Sequence, residues 1–196
     1  MRVTIERSAF LKALNHVQSV VERRNTIPIL SNVLVQAGAG QMKLTATDLD
    51  IEIVESVQAG VARGGATTVP AHMLYDIVRK LPDGSQLELE QGPDQNRVAI
   101  FAGRSRFALQ ALPPEDFPDL AAGELSNRFT LSAADIKGLI EKTRFAISTE
   151  ETRYYLNGIY LHEAATGVLR AVATDGHRLA RAQMARPAGA EGMPGI

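Results

Sequence analysis

The chain carries the stretch Leu44-Thr45-Ala46-Thr47-Asp48, and 127 residues later the similar stretch Ala171-Val172-Ala173-Thr174-Asp175. Two earlier blocks repeat at an offset of 126 residues: Val3-Thr4-Ile5 with Phe129-Thr130-Leu131, and Leu30-Ser31-Asn32-Val33-Leu34 with Leu156-Asn157-Gly158-Ile159-Tyr160. One net insertion therefore separates the two copies over about 45 positions. A period this long indicates duplication of a whole domain, because solenoid repeats are roughly 20–50 residues long.

The first copy runs further than the second. It continues through a second helical stretch and three more strand-like stretches to about Leu120. The second copy, in contrast, covers only about 70 of the corresponding positions up to Ile196. Residues 113–127 are proline-rich and acidic without periodicity, which is typical of a connection between domains. We therefore predict a complete first module at residues 1–120, a linker at 121–127 and a truncated second module at 128–196, so that the chain is a fragment.

Composition excludes several classes of protein. With 45% apolar and 22% charged residues, the chain has the composition of a soluble globular protein. The absence of cysteine excludes disulfides and thiolate metal sites and is compatible with a reducing cytoplasm. There is no signal peptide and no apolar run of the roughly 20 residues that a membrane span needs, so we expect a cytoplasmic protein without membrane contact. The net charge of -1 argues against bulk attraction to nucleic acid but leaves room for a basic face offset by an acidic one.

The apolar pattern of the first module switches between strand and helix periods. Residues 2–6 alternate as a strand, and Ser8 is the predicted N-cap of the helix that follows. Pro70 opens a second amphipathic helix, because proline is favoured in the first helical turn. Further strands are predicted at residues 30–36, 41–47, 49–57, 67–69, 86–90, 97–102 and 105–111.

The second module begins like the first. Phe129–Leu131 is a predicted strand, and Ser132 is predicted to cap a helix. The inward residues of that helix are predicted to be Ile136, Leu139, Ile140 and Thr143. Strands follow at about 154–162, 167–174 and 177–184, with a hairpin turn at Asp175-Gly176, and residues 185–196 are predicted to be loop or disordered.

Six stretches, spread in order over nearly the whole chain, carry a resemblance to a known family. They are Thr26-Ile27-Pro28-Ile29-Leu30, Thr67-Thr68-Val69-Pro70-Ala71, Gly103-Arg104-Ser105-Arg106-Phe107, Asp116-Phe117-Pro118, Arg153-Tyr154-Tyr155-Leu156-Asn157-Gly158 and Ala173-Thr174-Asp175-Gly176-His177-Arg178-Leu179. Together with the tandem repeat they resemble the bacterial DNA sliding clamp, the β subunit of DNA polymerase III. The resemblance implies an α+β fold of tandem sliding-clamp (processivity-fold) modules, each with two helices packed on antiparallel sheets. It also implies a polymerase processivity factor with three modules per chain, two chains of which close head-to-tail into a homodimeric ring around double-stranded DNA.

Basic side chains recur on the predicted helices, with Lys12 on the first, Arg79 on the second and Lys137 on the third. Such residues are typical of solvated helix faces. They also suit helices that line one concave surface and hold phosphates without reading bases, as a protein that slides requires. The resemblance favours this second interpretation.

The resemblance adds three DNA contacts, at Arg24, Tyr154 and Tyr155. The adjacent tyrosines are predicted to enter a strand, where neighbours point to opposite faces, so we expect one in the core and the other exposed. The resemblance also places Glu150 where the family has a DNA-contacting glutamine, and a carboxylate at that position would repel phosphate.

The stretch from Thr174 to Leu179 allows two interpretations from its residues alone. Asp175 and His177 could form an acid–base pair or bind a metal in a hydrolase, although no third ligand stands at a recognisable spacing. Asp-Gly is also typical of a tight hairpin, where glycine accepts a positive φ. The first module has Thr47-Asp48-Leu49-Asp50 at the equivalent place, so the shared Thr-Asp pair is predicted to be architectural.

The resemblance assigns this hairpin to an apolar pocket that receives a short peptide motif of partner proteins. The pocket residues carried over are Leu156, Thr174, Gly176, His177, Arg178 and Leu179. The implied partners are the DNA polymerase III α subunit, the clamp loader and other proteins with a clamp-binding motif. A partner's Leu or Phe would bury on the leucines and the aliphatic stem of Arg178.

Arg104, Arg106 and Phe107 are predicted to lie on or beside an edge strand near the end of the first module. They suit either an ordinary exposed strand with alternating charge or a surface that pairs with another chain through an exposed aromatic flanked by guanidinium groups. The resemblance assigns this strand to the dimer interface, against the third module of the partner subunit.

The chain shows no phosphate-binding glycine loop, nucleophile elbow or carboxylate cluster, so we expect no enzyme activity, no cofactor and no metal. The leading hypothesis is the processivity factor. The alternative is a protein-interaction module without direct DNA binding, and a third is a hydrolase that uses Asp175 and His177.

Overall fold

The computed structural model describes residues 1–22, 26–92, 96–119, 127–165 and 167–196. The chain divides into two compact units, Met1–Ala121 and Ala122–Ile196. Except for Asn127, the predicted linker at 121–127 lies outside the described residues. No helix in the described ranges is long and apolar enough to cross a membrane.

The first unit contains nine strands and two helices among its described residues. They are β1 (Arg2–Glu6), α1 (Arg7–Val17), β2 (Asn32–Gly38), β3 (Gln41–Thr47), β4 (Glu52–Gln58), β5 (Gly60–Arg63), β6 (Gly65–Pro70), α2 (Ala71–Lys80), β7 (Gln86–Gln91), β8 (Arg97–Ala102) and β9 (Ser105–Gln110), with 3-10 turns at Pro28–Ser31 and Pro114–Asp116. All strand pairs are antiparallel, in a five-stranded sheet ordered β5-β1-β7-β8-β9 and a four-stranded sheet ordered β4-β3-β2-β6. The predicted α+β architecture, with two helices on antiparallel sheets, is confirmed in this unit.

One core joins both sheets and both helices of the first unit. From α1, Phe10 and Leu14 are fully buried, and α2 contributes Leu74 and Val78. The two residues of each pair lie four positions apart, which places them on one face of their helix. Burial of this face against the sheets supplies the main favourable term in folding of the unit.

The strand predicted at 49–57 is shorter in the structure, where β4 begins at Glu52. β4 ends at Gln58, and after Ala59 the chain continues as β5, which pairs with β1 of the other sheet. The Ala59 N–H donates to the carbonyl of Gly40, and this hydrogen bond fixes the chain where it passes from one sheet to the other. β5 was not predicted, because Gly60–Arg63 has little apolar alternation.

The prediction that Ser8 is the N-cap of α1 is wrong. α1 follows β1 without a loop, so the cap position falls on Glu6, whose carboxylate accepts from the Ala9 N–H at 3.0 Å and from the Ser8 hydroxyl. The next residue, Arg7, reaches the end of α2 and donates to the carbonyls of Val78 and Arg79 at 3.1 and 2.7 Å. Arg7 thus adds a side-chain donor at the end of α2, where the Val78 carbonyl also accepts from the Leu81 N–H.

Among its described residues, the second unit packs one helix on one sheet. Its elements are α3 (Ala133–Thr143), β10 (Tyr160–Ala165), β11 (Val168–Thr174) and β12 (Leu179–Ala185), with 3-10 turns at Arg144–Ala146 and Glu151–Leu156. The sheet has the order β10-β11-β12. Ser132 caps α3 as predicted, because its hydroxyl accepts from the Asp135 N–H at 3.1 Å. Leu139 and Thr143 are buried, but the predicted inward residue Ile140 is 42% exposed.

The predicted strand Phe129–Leu131 is absent from the described structure. Its counterpart β1 pairs with β5 and β7 in the first unit, whereas the described strands of the second unit, β10, β11 and β12, pair only with one another. A strand needs a neighbour to satisfy its backbone groups. Phe129 and Leu131 instead pack, partly buried, against the core of the second unit.

The segment after β12 was predicted to be loop or disordered, and it is irregular but packed. Ala190 and Met193 belong to the core of the second unit. Arg186 forms ion pairs with Glu163 and Glu191, and the Gly192 N–H donates to Glu163. These bonds hold the segment against β10.

Candidate functional site

The hairpin between β11 and β12 is built by two side chains. The Asp175 carboxylate accepts from the backbone N–H groups of His177 and Arg178 at 3.0 and 2.9 Å. The Thr174 hydroxyl accepts from the Gly176 N–H at 3.1 Å and donates to the carbonyl of Arg178 at 2.7 Å. Gly176 has a φ of +89°, a conformation that glycine adopts without steric cost.

The first unit repeats this turn between β3 and β4. The Thr47 hydroxyl accepts from the Leu49 N–H at 2.9 Å, and the Asp48 carboxylate accepts from Asp50 and Ile51 at 3.0 and 2.8 Å. Leu49 stands where the second unit has Gly176 and has a φ of +83°, although bulky side chains rarely adopt this conformation. The Thr-Asp pair is thus architectural in both copies.

The same hydrogen bonds bear on the hydrolase hypothesis. Donation by the backbone N–H groups of Arg178 and His177 lowers the pKa of Asp175 to about 2, and its second oxygen accepts from Nε of Arg178 at 2.8 Å. Within the described part of the chain, no hydrogen bond joins this carboxylate to the His177 imidazole. Among the same residues there is no group of three His, Cys, Asp or Glu side chains that could hold a metal. The geometry of Asp175 is that of a turn-forming residue.

We predict that Asp175 titrates with a midpoint near pH 2 rather than at its ordinary value of 3.8. Because the pKa is lower in the folded state, the carboxylate stabilises the hairpin above about pH 4, and this contribution is lost as the pH falls through 2. Carboxyl-carbon NMR measures the midpoint. Arg178→Gln keeps the backbone N–H donors and should raise the midpoint only partly, whereas a midpoint of 3.8 in the unmodified chain would contradict the hydrogen-bonding scheme.

Tyr154 and Tyr155 are both exposed, by 78% and 71%, so the prediction that one of them lies in the core is wrong. They stand on the 3-10 turn Glu151–Leu156 rather than on a strand, and their rings meet edge to face with centroids 5.8 Å apart. The turn is closed by the Ser148 N–H, which donates to the carbonyl of Leu156 at 3.0 Å. Two aromatic faces therefore project from a short, hydrogen-bonded loop.

Arg153 connects this loop to the hairpin. Its Nε pairs with Glu150 at 3.0 Å, and its Nη1 donates to the carbonyl of Asp175 at 3.3 Å. The ion pair compensates the carboxylate of Glu150, which was predicted to repel phosphate. A Cβ on Gly176 would meet Nη1 of Arg153 at 3.0 Å, which shows how closely the two segments approach.

A cleft of about 490 Å³ opens beside the tyrosines. It brings together Leu156 and Thr174 of the predicted pocket with Tyr154, Tyr155 and Val172. The other predicted pocket residues, Gly176, His177, Arg178 and Leu179, stand on the adjoining hairpin, outside the lining of this cleft. Leu179 is 64% exposed there.

The basic residues predicted on the helices differ in their surroundings. Lys12 is exposed on α1, on the side opposite Phe10 and Leu14, and forms no ion pair with any described residue. Arg79 pairs with Asp76 at 3.0 Å, and Lys137 pairs with Glu141 at 3.7 Å. The predicted DNA contact Arg24 lies outside the described residues.

The edge strand β9 differs from the prediction in where its aromatic points. Among the described strands, β9 pairs only with β8 and leaves its other edge free. Phe107 is half-buried against the core and borders a groove of about 680 Å³ beside α2. Arg106 points to the opposite face, where it lies 5.2 Å from the Phe101 ring centroid, and Arg104 is exposed in the turn before β9. Phe107 is therefore not flanked by guanidinium groups on its own face, because neighbours on a strand alternate.

Comparison with known proteins accounts for this architecture. One family model, the N-terminal domain of the DNA polymerase III beta subunit, matches residues 1–121, and a second, the central domain of the same subunit, matches residues 130–194. The chain belongs to the bacterial DNA polymerase III beta subunit family. Members of this family are the beta sliding clamps.

Several sliding clamps are similar to most or all of the chain. The beta sliding clamp of Caulobacter vibrioides (strain NA1000 / CB15N) is 57% identical over 199 residues, covering 100% of this chain and 54% of the relative. That of Escherichia coli (strain K12) is 44% identical over 185 residues, covering 94% and 50%. The chain therefore spans about half the length of the sliding clamps it matches.

Solved sliding-clamp structures show the same fold. The structure of Caulobacter crescentus pol III beta matches with a TM-score of 0.94 at 57% identity, covering 100% of this chain and 53% of that one. The Bartonella birtlesii sliding clamp bound to griselimycin matches with a TM-score of 0.95 at 55% identity, with the same coverage.

Two residues beside the sliding-clamp hairpin were not predicted from the sequence. Arg153 ties the tyrosine loop to the hairpin, and Phe145 lies against Arg178, with the guanidinium carbon 5.7 Å from the ring centroid. The only signal for Arg153 is its position directly before the two tyrosines, and Phe145 has none, because it follows α3 outside any periodic stretch.

Proposed function

We propose that the complete protein is the processivity factor of a bacterial DNA polymerase: a non-enzymatic, ring-forming clamp that encircles double-stranded DNA and tethers the polymerase. The observation that carries this proposal is the tandem match to the N-terminal and central beta-subunit domains, together with 57% identity to a sliding clamp over the whole chain. The complete protein would work in the cytoplasm without a cofactor, as a homodimer whose chains each have three modules.

Contact with DNA is proposed for exposed side chains that carry no base-reading pattern. Lys12 offers an ammonium that has no ion pair with any described residue, and Tyr154 and Tyr155 offer two exposed rings for stacking or backbone contact. Arg79 and Lys137 are each paired with a carboxylate of their own helix, so we propose a smaller contribution from them. Arg24 is proposed on the family resemblance alone.

Partner binding is proposed for the cleft beside Leu156 and for the hairpin Thr174–Leu179. The cleft offers apolar walls, and the hairpin adds the exposed Leu179 and the stem of Arg178. An apolar anchor of a partner peptide gains most by burial in such a recess. The proposed partners are the polymerase α subunit, the clamp loader and other proteins with a clamp-binding motif.

The dimer interface is proposed for the free edge of β9. Unpaired backbone groups along an edge strand are a template for another strand, and the groove beside Phe107 offers an apolar recess next to that edge. Arg104 and Arg106 would flank this contact from the turn and from the opposite face.

The test of this function is retention on closed DNA. Full-length protein loaded on a circular plasmid is expected to remain bound through gel filtration at moderate salt and to be lost when a restriction enzyme linearises the plasmid, because only a ring is held topologically. Retention should be equal on plasmids of unrelated sequence. Equal retention on circular and linear DNA would contradict the clamp, and absence of any DNA retention would favour the interaction module without direct DNA binding.

Two single variants, a test and a matched control, examine the proposed phosphate contacts. Lys12→Ala is expected to reduce the salt slope of binding to short linear duplexes by about 1, because one phosphate contact is lost. Lys137→Ala is the matched control and should change the slope less, since Lys137 is paired with Glu141. A sequence-dependent loss of affinity in Lys12→Ala would argue against a sliding contact.

A further inference from the structure

The outward side of the sheet β10-β11-β12 carries a small basic surface. Leu169 of β11 is buried in the core with α3, so its neighbour Arg170 points to the opposite side of the sheet. On that side His162, Arg170 and Gln183 stand opposite one another across the three strands. Arg181 lies on the same side, two positions before Gln183 on β12, and is exposed. His162, Arg170 and Arg181 are called the basic face below.

The two guanidinium groups of the basic face have no carboxylate partner among the described residues. Nη2 of Arg170 donates to the side-chain oxygen of Gln183 at 3.2 Å, which is a bond to a neutral group. The one carboxylate in the three described strands is Glu163, which pairs with Arg186 beside the core. Like charges at neighbouring positions of one sheet face are unfavourable. A bound anion would therefore stabilise this face.

The first unit repeats this sheet without repeating its charges. The register of β2, β3 and β4 is the same, and offsets of 126 and 127 residues place at the equivalent positions Gln36, Lys43, Ser56 and Val54. Of these only Lys43, the equivalent of Arg170, is charged, and Val54 stands where the second unit has Arg181. The shared architecture therefore does not require a basic surface at these positions, and the surface is particular to the second unit.

The third member of the basic face is held by a neighbouring ring. The imidazole of His162 stacks on Tyr160 with centroids 4.8 Å apart and planes inclined by 23°. Its Nδ1 lies 3.3 Å from the carbonyl of Glu163, and a hydrogen bond at Nδ1 leaves Nε2 for a ligand. The cleft beside Leu156 is lined by Tyr160 but by no member of the basic face. The basic face is thus a surface separate from that cleft.

We propose that the basic face is a second interaction surface, which binds an acidic, extended segment of a partner protein. Alternate residues of an extended chain lie on one side of it, about 6.6 Å apart. Diagonal neighbours on a sheet, such as Arg170 and Arg181, are about 7–8 Å apart, so two alternate carboxylates match two guanidinium groups. A DNA phosphate is the competing ligand. The position favours protein, because the proposed DNA contact Lys137 lies on α3, which packs on the other side of the sheet.

The experiment compares two synthetic peptides on the full-length protein. The first alternates Asp with Thr and the second alternates Asn with Thr, and neither has an apolar anchor for the cleft. The unmodified protein is expected to bind the Asp peptide about three- to tenfold more tightly at low salt, as two partly exposed charge-assisted pairs allow. High salt should reduce this ratio, because it screens exposed charges. Fluorescence anisotropy with labelled peptides measures the ratio.

Single variants assign the effect to the basic face. Arg181→Gln removes an exposed guanidinium without disturbing the core and is expected to lower the Asp-to-Asn ratio by about two- to threefold. Adding Arg170→Gln should remove the preference, whereas Arg170→Lys keeps the charge and should retain most of it. Lys43→Gln is the matched control, since it removes the cation at the equivalent position of the first unit and should leave the ratio unchanged. Circular dichroism should be the same for all of them.

Each contrary outcome overturns the proposal. Equal binding of the two peptides by the unmodified protein, or an unchanged ratio in the double variant, removes the acidic partner. A ratio that is lost in Leu156→Ala places the acidic peptide in the cleft instead. Weaker retention on circular DNA in the double variant, with the peptide ratio unchanged, assigns the two arginines to phosphate. The proposed function is tested separately, by plasmid retention of the unmodified protein, and stands or falls independently of these results.

Discussion

Full-length protein carrying Leu156→Ala is expected to bind a polymerase-tail peptide about thirtyfold more weakly than the unmodified protein. Leu156 is half-buried and lines the cleft with Val172 and Thr174, so its truncation removes apolar surface where a partner's anchor would bury. Loss of such an anchor contact costs about 2 kcal/mol or more, which corresponds to that change in affinity. Isothermal titration calorimetry with a peptide that ends in a Leu-Phe pair measures the effect.

Ile140→Ala is the matched control for this loss. It removes apolar atoms from a residue that is 42% exposed on α3, away from the lining of the cleft, and should leave peptide affinity unchanged. Retention on circular DNA and the circular dichroism spectrum should be preserved in both variants. Undiminished peptide binding by Leu156→Ala would remove the cleft from the partner site.

The second large effect is expected in the core of the first unit. Phe10→Ala should lower its free energy of unfolding by about 3–5 kcal/mol, because a fully buried aromatic ring is replaced by a cavity between α1 and the sheets. Hydrogen exchange measures this locally: amides of β2 and β3 should lose protection, while those of β11 and β12 retain theirs.

Met73→Ala is the comparison for Phe10→Ala. Met73 lies on α2 and is 55% exposed, so its truncation should change stability by no more than about 0.5 kcal/mol. A loss of less than about 1 kcal/mol in Phe10→Ala would show that the two sheets do not depend on α1 for their stability.

The sequence predicted those elements whose local pattern and tertiary environment agree. The bounds of β3 and β8 coincide with the predicted strands, since alternate residues such as Met42 and Leu44 are buried. The hairpin at Asp175-Gly176 was also predictable, because its turn is made by side chains within four residues of one another.

The errors arise where remote or single-turn interactions decide the structure. Phe129–Leu131 has the pattern of a strand but no described neighbour to pair with, and Tyr154 and Tyr155 lie in a 3-10 turn too short to show a period. Local chemistry misled the prediction at Ser8, because the preceding carboxylate of Glu6 reaches the helix N-terminus first.

Only part of the candidate site was predicted, because some of its contacts are local in sequence and others join distant residues. Turn chemistry identified the hairpin, and the family resemblance supplied the pocket residues, which remain proposals. Arg153 and Phe145 were missed because their contacts with Asp175 and Arg178 join distant parts of the chain. No single-sequence pattern encodes such contacts.

The place of β1 between β5 and β7 has a consequence for synthesis on the ribosome. All strands of the sheet β4-β3-β2-β6 have been translated once the ribosome reaches Pro70. In contrast, β1 cannot pair along its full length with β7 until translation reaches Gln91. At about 5–20 residues per second, roughly 4–17 s pass between translation of β1 and of the end of β7. During that time Val3 and Ile5, both buried in the finished unit, lack part of their cover. The nascent chain therefore exposes a short apolar strand until β7 has been made.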